Sequence, residues 1–400
     1  MILLRNNLIR RLIIIFSSFV SLLFFYTFFD LYSDRYIPPD VKIHDNELYD
    51  YTGSIHIHTK YSDGSGTPEE IAKVANQLGI DFLIISDHDT LGALIDNKEG
   101  YYNNVLVLTG VEISSEIGHY LVYSPSPDFR LYDIKNSLYQ LKNNKSTEYY
   151  SEMCHPFHPK TPIKNWNYDG FDAVEIFNGD SQWRDDTLFE IFETFLGSFL
   201  YKNPLNKLVD RPEKNIEKWS ELIKGRKIFQ IGSADAHANI KVSTSFSIKF
   251  PSYEQTLRFV KTHILTEEKL SGAADRDKII VFDCLKKGRC YTEIGNFSRT
   301  SGFIFKGEND YKIAHIGDDI EGKVKFSVFV PDTTNIVIKL YNNNEVIHSS
   351  DYYKLEYTTS EPGAYWVEVF QVRRKLPFFE KIERPWIISN PIFVLKNLSQ

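Results

Sequence analysis

The chain has 400 residues, 42% of them hydrophobic and 14% aromatic, which is enough apolar material for two packed domains and too much for a disordered chain. Its formal charge of −7 comes without a compensating basic run, so no long nucleic acid is expected as a partner. Three cysteines, Cys154, Cys284 and Cys290, are too few for a disulfide scaffold and lack zinc-finger spacing. A Cys284–Cys290 bridge stays open for an oxidising compartment, with free thiols the favoured expectation.

At the N-terminus, Arg5, Arg10 and Arg11 precede Leu12 to Phe29, a run without charge that ends at Asp30. As a helix it would span ~27 Å, close to the hydrocarbon thickness of a bilayer. Residues 1–35 are therefore expected to form a transmembrane signal-anchor with the arginines cytoplasmic. The rest of the chain would then lie extracytoplasmically, in a periplasm or outside the cell. A cleaved signal peptide is the alternative; the long run and the lack of a small-residue cleavage site argue against it. Residues 36–52, with Pro38-Pro39, read as an extended linker.

Strand-like and helix-like segments then alternate. Ser54–His58 reads as a strand. Thr67-Pro68-Glu69-Glu70 opens a helix over Pro68–Leu78, whose apolar residues recur at helical spacing. Asp81–Ser86, Val105–Thr109, His119–Tyr123, Ala173–Phe177 and Ile228–Gly232 are further strands; Ile134–Asn143, Thr187–Leu200 and Ile216–Ile223 are helices. This alternation predicts a mainly parallel sheet that closes into an α/β barrel over 53–295. After Glu293 the period changes to two, as in Val324, Phe326, Val328 and Val330, or Tyr365, Val367 and Val369. That pattern predicts a small all-β, immunoglobulin-like sandwich over 300–397.

The chemistry concentrates at the ends of the predicted barrel strands. His56-Ile57-His58 is followed by Asp63-Gly64, then Ser86-Asp87-His88, Glu112, His119, His155 and Asp235-Ala236-His237. In a barrel, strand C-termini converge on one mouth. Mixed imidazole and carboxylate donors suit zinc, manganese or iron, and the absence of thiolate among them argues against a closed structural zinc site.

These motifs resemble the PHP family, named for polymerase and histidinol phosphatase domains. The resemblance implies a distorted (β/α)7 barrel holding two or three divalent ions that hydrolyse phosphoesters. Carried over, His56, His58, Glu112 and Asp235 would hold the first ion. Glu112 would bridge to a second held by His119 and His155, and Asp63, His88 and His237 would hold a third. Asp235, Glu112 and His158 would be the catalytic groups, with His158 touching phosphate or protonating a leaving group. Three divalent ions against Asp63, Glu112 and Asp235 leave positive charge for a phosphate and its developing oxyanion. Coordination also lowers the pKa of bound water towards ~7, supplying hydroxide near neutral pH.

Around this set, Asp87 and Asp89 are candidates to orient ligands, and Asn178 to lie near the site. Lys160 and Arg184 could pair with phosphate but read as surface charges. Cys154 should point away from the metals, because it alternates with His155 on a strand. The reading is a membrane-anchored, metal-dependent phosphoesterase acting on a phosphorylated small molecule or short oligonucleotide. An amidohydrolase-like enzyme and a non-catalytic, metal-stabilised binding module are the alternatives. The partner of the β region is open.

Overall fold

The computed structural model describes residues 10–22, 24–25, 47–123, 150–167, 170–184, 187–197, 203–241, 247–298, 300–331, 335–375 and 380–396. Residues 10–22 form a helix with every side chain exposed. Among the described residues no helix is long and apolar enough to cross a membrane. This overturns the expected transmembrane anchor, and with it the extracytoplasmic placement that rested on the anchor. The predicted helix over Ile134–Asn143 lies outside the described residues.

Seven strands surround the first core: β1 (Tyr49–Ile57), β2 (Phe82–Ile85), β3 (Val105–Ser115), β4 (Gly118–Tyr123), β5 (Tyr150–Met153), β6 (Ala173–Asn178) and β7 (Phe229–Ser233). Neighbours pair in that order. Closure comes from backbone bonds of the segment after β7 to the end of β1: Ala234 N–H to Ile55 O at 3.0 Å and His58 N–H to Ala236 O at 3.0 Å. Phe82-Leu83-Ile84-Ile85 is buried throughout, as a parallel strand covered on both faces requires. The exception to parallel order is β4, antiparallel to both β3 and β5. Because β4 runs backwards, its first residues lie at the rim where the other strands end.

Helix α1 (Pro68–Leu78) follows β1. The Thr67 side chain accepts from the Glu70 amide and the Glu70 side chain accepts from the Thr67 amide, while Gly79, at φ 69°, closes the far end. Ile71, Ala72 and Ala75 turn inward onto the barrel. The predicted helices over Thr187–Leu200 and Ile216–Ile223 are Leu188–Gly197 and Glu213–Leu222.

The C-terminal region is not a separate sandwich. Strands β8 (Val260–Thr266) and β9 (Cys290–Ile294) extend the sheet outward from β1, and Thr292 of β9 then pairs with Ile388 of Glu380–Ser389. A second sheet, built of Ile304–Glu308, Ile313–His315, Val324–Phe329 and Lys354–Thr359, packs against this arm, with the Phe326 and Tyr365 rings 4.7 Å apart. Buried polar bonds fix the arm to the barrel. The Asn390 amide brackets Gln230 of β7, accepting from its N–H at 2.7 Å and donating to its carbonyl at 2.9 Å. The expected small immunoglobulin-like sandwich is thus replaced by a large sheet region continuous with the barrel. Long-range pairing of this kind leaves no trace in the period-two pattern.

Candidate metal centre

All nine predicted ligands converge on the mouth. The Glu112 carboxylate sits at the centre, with Oε2 3.0 Å from His56, 3.2 Å from His58 and 3.1 Å from His88. Its Oε1 lies 2.7 Å from His119 and 3.1 Å from His155. Asp235 Oδ1 is 3.2 Å from His58 and 3.6 Å from His237, and Asp63 Oδ1 is 3.4 Å from His237. His119 reaches the group from the start of the reversed strand β4, opposite Ser114 of β3.

The backbone departs from regular geometry where it delivers these side chains. His56, His155 and Asp235 have φ of 59°, 26° and 48°, values that non-glycine residues rarely adopt and that cluster at functional sites. The β1–β2 register shifts between Ile55 and Ile57. His56 and His58 therefore face the mouth together through a bulge rather than through plain alternation.

Donor atoms within 4.8 Å of one another form four groups. His56, His58 and Asp235 form one; His88, Glu112 and His119 form another. His58 also joins Asp63, His88 and His237, so it borders two of the expected ion positions. The fourth group is His56, Glu112 and Cys154. This corrects the expectation for Cys154. The positive φ of His155 breaks the strand's alternation, and Cys154 and His155 both border the cluster.

The donor set fits divalent cations. Both ring nitrogens of His58 and Nδ1 of His88 and His155 are buried without a hydrogen-bond partner, although carboxylate oxygens lie near His58 and His88 in poor alignment. A buried lone pair left so is costly, and a cation satisfies several at once. Electrostatics agree. Burial raises the Glu112 carboxyl, but His56, His119 and His155 hold it well below the usual range. Burial lowers His58, but Asp235 and Glu112 lift it to about 10. Acids held charged and bases held charged mark a pocket in which metal ions compete with protons for the same lone pairs.

Behind the ligands stands Glu175, which the motif reading missed. It accepts from His155 N–H at 2.5 Å and from Asn178 Nδ2 at 2.9 Å, and its other oxygen lies 2.5 Å from His56 Nδ1. Asn178 also donates to Asp235 at 3.0 Å. A lone acid in the apolar run Ala173-Val174-Glu175-Ile176-Phe177 was the available signal, since a fully buried carboxylate needs partners. Such partners fix ring orientation and tautomer. Glu175→Gln is expected to weaken metal binding by roughly 10–100-fold with the far-ultraviolet circular dichroism unchanged; metal titration measures it.

Asp87 pins the loop that carries Asp63, accepting from Thr59 N and Thr59 Oγ1, both at 2.7 Å, and from Ser62 Oγ at 2.6 Å. Asp89 accepts from Ser114 N–H at 3.0 Å. Tyr253 ties the same loop, donating to His58 O at 2.8 Å and accepting from the amides of Ser65 and Gly66. A Cβ on Gly64 would lie 2.2 Å from His58 O, a backbone atom already held in place. Gly64→Ala is therefore expected to displace Asp63, with loss of one metal equivalent by elemental analysis and about 1–3 kcal/mol of stability. Arg184 pairs with Asp180 and stacks over Trp183, and Lys160 is exposed.

Residues 54–227 match the family model of the PHP domain. This stretch, less than half of the chain, is similar to PHP domains. A 62-residue stretch is 37% identical to the phosphoribosyl 1,2-cyclic phosphate 1,2-diphosphodiesterase of Eggerthella lenta, covering 15% of this chain and 24% of that protein. The chain thus spans about a quarter of that relative's length. A two-domain protein from Bacteroides vulgatus ATCC 8482, containing a predicted PHP-like metal-dependent phosphoesterase, aligns over 89% of this chain and 99% of its own, at TM-score 0.40 and 15% identity. PsfC from Pseudomonas syringae PB-5123 aligns over 58% of this chain and 88% of its own, at TM-score 0.36 and 12% identity.

Proposed function

We propose that the PHP domain is a metal-dependent phosphoesterase using two or three divalent ions to hydrolyse a phosphomonoester or phosphodiester. The observation that carries this reading is the bridging position of Glu112, with imidazoles on both of its oxygens. The phosphodiesterase name of the Eggerthella lenta relative favours including cyclic and linear diesters among the candidates. Bound divalent ions would polarise a phosphoryl oxygen and acidify a water molecule.

The chain supplies binding and proton handling. A cleft of about 470 Å³ runs from His155 and Asn178 past Phe157 and Phe177 to Lys214 and Asn215. The rings offer an apolar wall for an organic leaving group, and Lys214 offers a cation for its anionic substituents. Arg211 on the same wall is held by Glu368 through two 2.7 Å bonds, so the C-terminal sheet helps shape the cleft. His158 lines it too. The amides of Lys160 and Thr161 donate to His158 Nδ1 at 3.4 and 3.3 Å, which places the proton of the neutral ring on Nε2. Burial lowers the His158 pKa and favours this neutral form, so the ring is suited to donate a hydrogen bond from Nε2 to a phosphoryl oxygen in the cleft.

The test joins elemental analysis of the purified chain to an activity screen over phosphomonoesters, linear diesters and cyclic diesters. Turnover should vanish with chelator and return with stoichiometric metal. A fully loaded protein that cleaves none of the panel sinks the reading. Asp235→Ala separates enzyme from scaffold: an enzyme loses turnover, whereas a metal-stabilised binding module loses mainly thermal stability.

A further inference from the structure

Cys154 is fully buried, and its sulfur lies within 4.8 Å of donor atoms of both His56 and Glu112. The other two cysteines belong to no such group among the described residues. Cys284 donates to Leu265 O at 3.4 Å, and Cys290 Sγ accepts from Asn390 Nδ2 at 3.1 Å. The backbone explains why Cys154 differs. Its amide continues the strand ladder to His119 O at 3.1 Å. His155 then turns to φ 26° and is captured by Glu175, so consecutive residues border one centre. His155 itself reaches Glu112 Oε1 through Nε2 at 3.1 Å, so Cys154 and His155 both border the same carboxylate.

We propose that Cys154 gives a sulfur ligand to the ion shared by His56 and Glu112, and that this biases the position towards zinc, cobalt or iron(II) over manganese or magnesium. Thiolate selects the softer ions, while an all-oxygen and imidazole set accommodates manganese. On binding, the S–H bond breaks, an S–metal bond forms and one proton leaves to solvent. The inference concerns the ions alone and stands whether or not the site hydrolyses phosphoesters.

The experiment loads the full chain with cobalt(II) and reads the near-ultraviolet sulfur-to-cobalt charge-transfer band. The band should be present in the wild type, persist in the Cys284→Ser/Cys290→Ser double variant, and vanish in Cys154→Ser. In a zinc–manganese competition, Cys154→Ser should lower the preference for zinc by roughly 10-fold or more, since even a group that only supports a ligand acts on that scale. A loaded wild type without the band, or a band that survives Cys154→Ser, overturns the proposal. Should Cys154→Ser fail to fold, the double variant decides: with Cys154 its only thiol, a retained band supports the ligand and a lost band refutes it.

Discussion

Glu112→Gln is expected to lower kcat/KM by roughly three orders of magnitude and to remove at least one metal ion per chain, with the barrel still folded. The carboxylate faces five imidazoles, three on one oxygen and two on the other. In the proposed reading it would be the group through which two ion positions share one charge. Glutamine fills the same space but offers one oxygen, and its NH2 would point hydrogens at a side that needs a lone pair. The bridge and one unit of negative charge go together. Metal charge stabilisation amounts to several kcal/mol, and each 1.36 kcal/mol is a factor of ten in rate. Elemental analysis beside steady-state kinetics reads both effects. A variant with full metal content and wild-type turnover would show that the bridge is dispensable.

The nine donors could be read from sequence because each sits in a short local signal. Six lie in His-x-His, Asp-Gly, Asp-His and Asp-x-His, and Glu112, His119 and His155 each adjoin a strand-like segment, so the strand ends bring them to one rim. What was not legible depends on backbone dihedrals or on partners far along the chain. Alternation sent Cys154 away from the mouth; the positive φ at His155 reverses that, and no pattern of residue types encodes it. Glu175 stood in plain view within an apolar strand, but its role is set by His56 and by Asn178, which binds Asp235 as well. The C-terminal period-two pattern marked strands without saying what they pair with. The contact of Thr292 with Ile388, which makes one sheet of barrel and arm, is a choice among many edges. At the N-terminus hydropathy alone suggested a bilayer span, whereas among the described residues no helix is long and apolar enough for one.

A stability test falls at the opposite side of β1, where His263 is buried between Asp50, at 2.8 Å, and Glu293, at 2.9 Å, with its ring stacked 4.5 Å from that of Tyr291. Tyr291 in turn donates to Asp50 at 2.7 Å, and Lys261 pairs with Glu293 at 2.7 Å. His263→Gln is expected to destabilise the fold by about 3–5 kcal/mol, the cost of removing one partner from a buried ion pair. Burial alone would depress the imidazole, but Asp50 and Glu293 raise it from 6.5 to about 9. A group raised in the folded state favours folding below its unfolded pKa, and that contribution fades as pH rises through the folded value. Burial likewise raises Glu293, but Lys261 and His263 bring it from 4.5 to about 2. Its contribution is present above 4.5 and fades as pH falls through 2. The cluster therefore stabilises most between pH 4.5 and 6.5, and the rise at His263 alone corresponds to about 3 kcal/mol. Urea unfolding of wild type and His263→Gln across pH 5 to 10 should give a gap that is widest near pH 6 and narrows through pH 9. A gap that stays constant over that range would mean the imidazole is held neutral, with Asp50 and Glu293 stabilised by other partners.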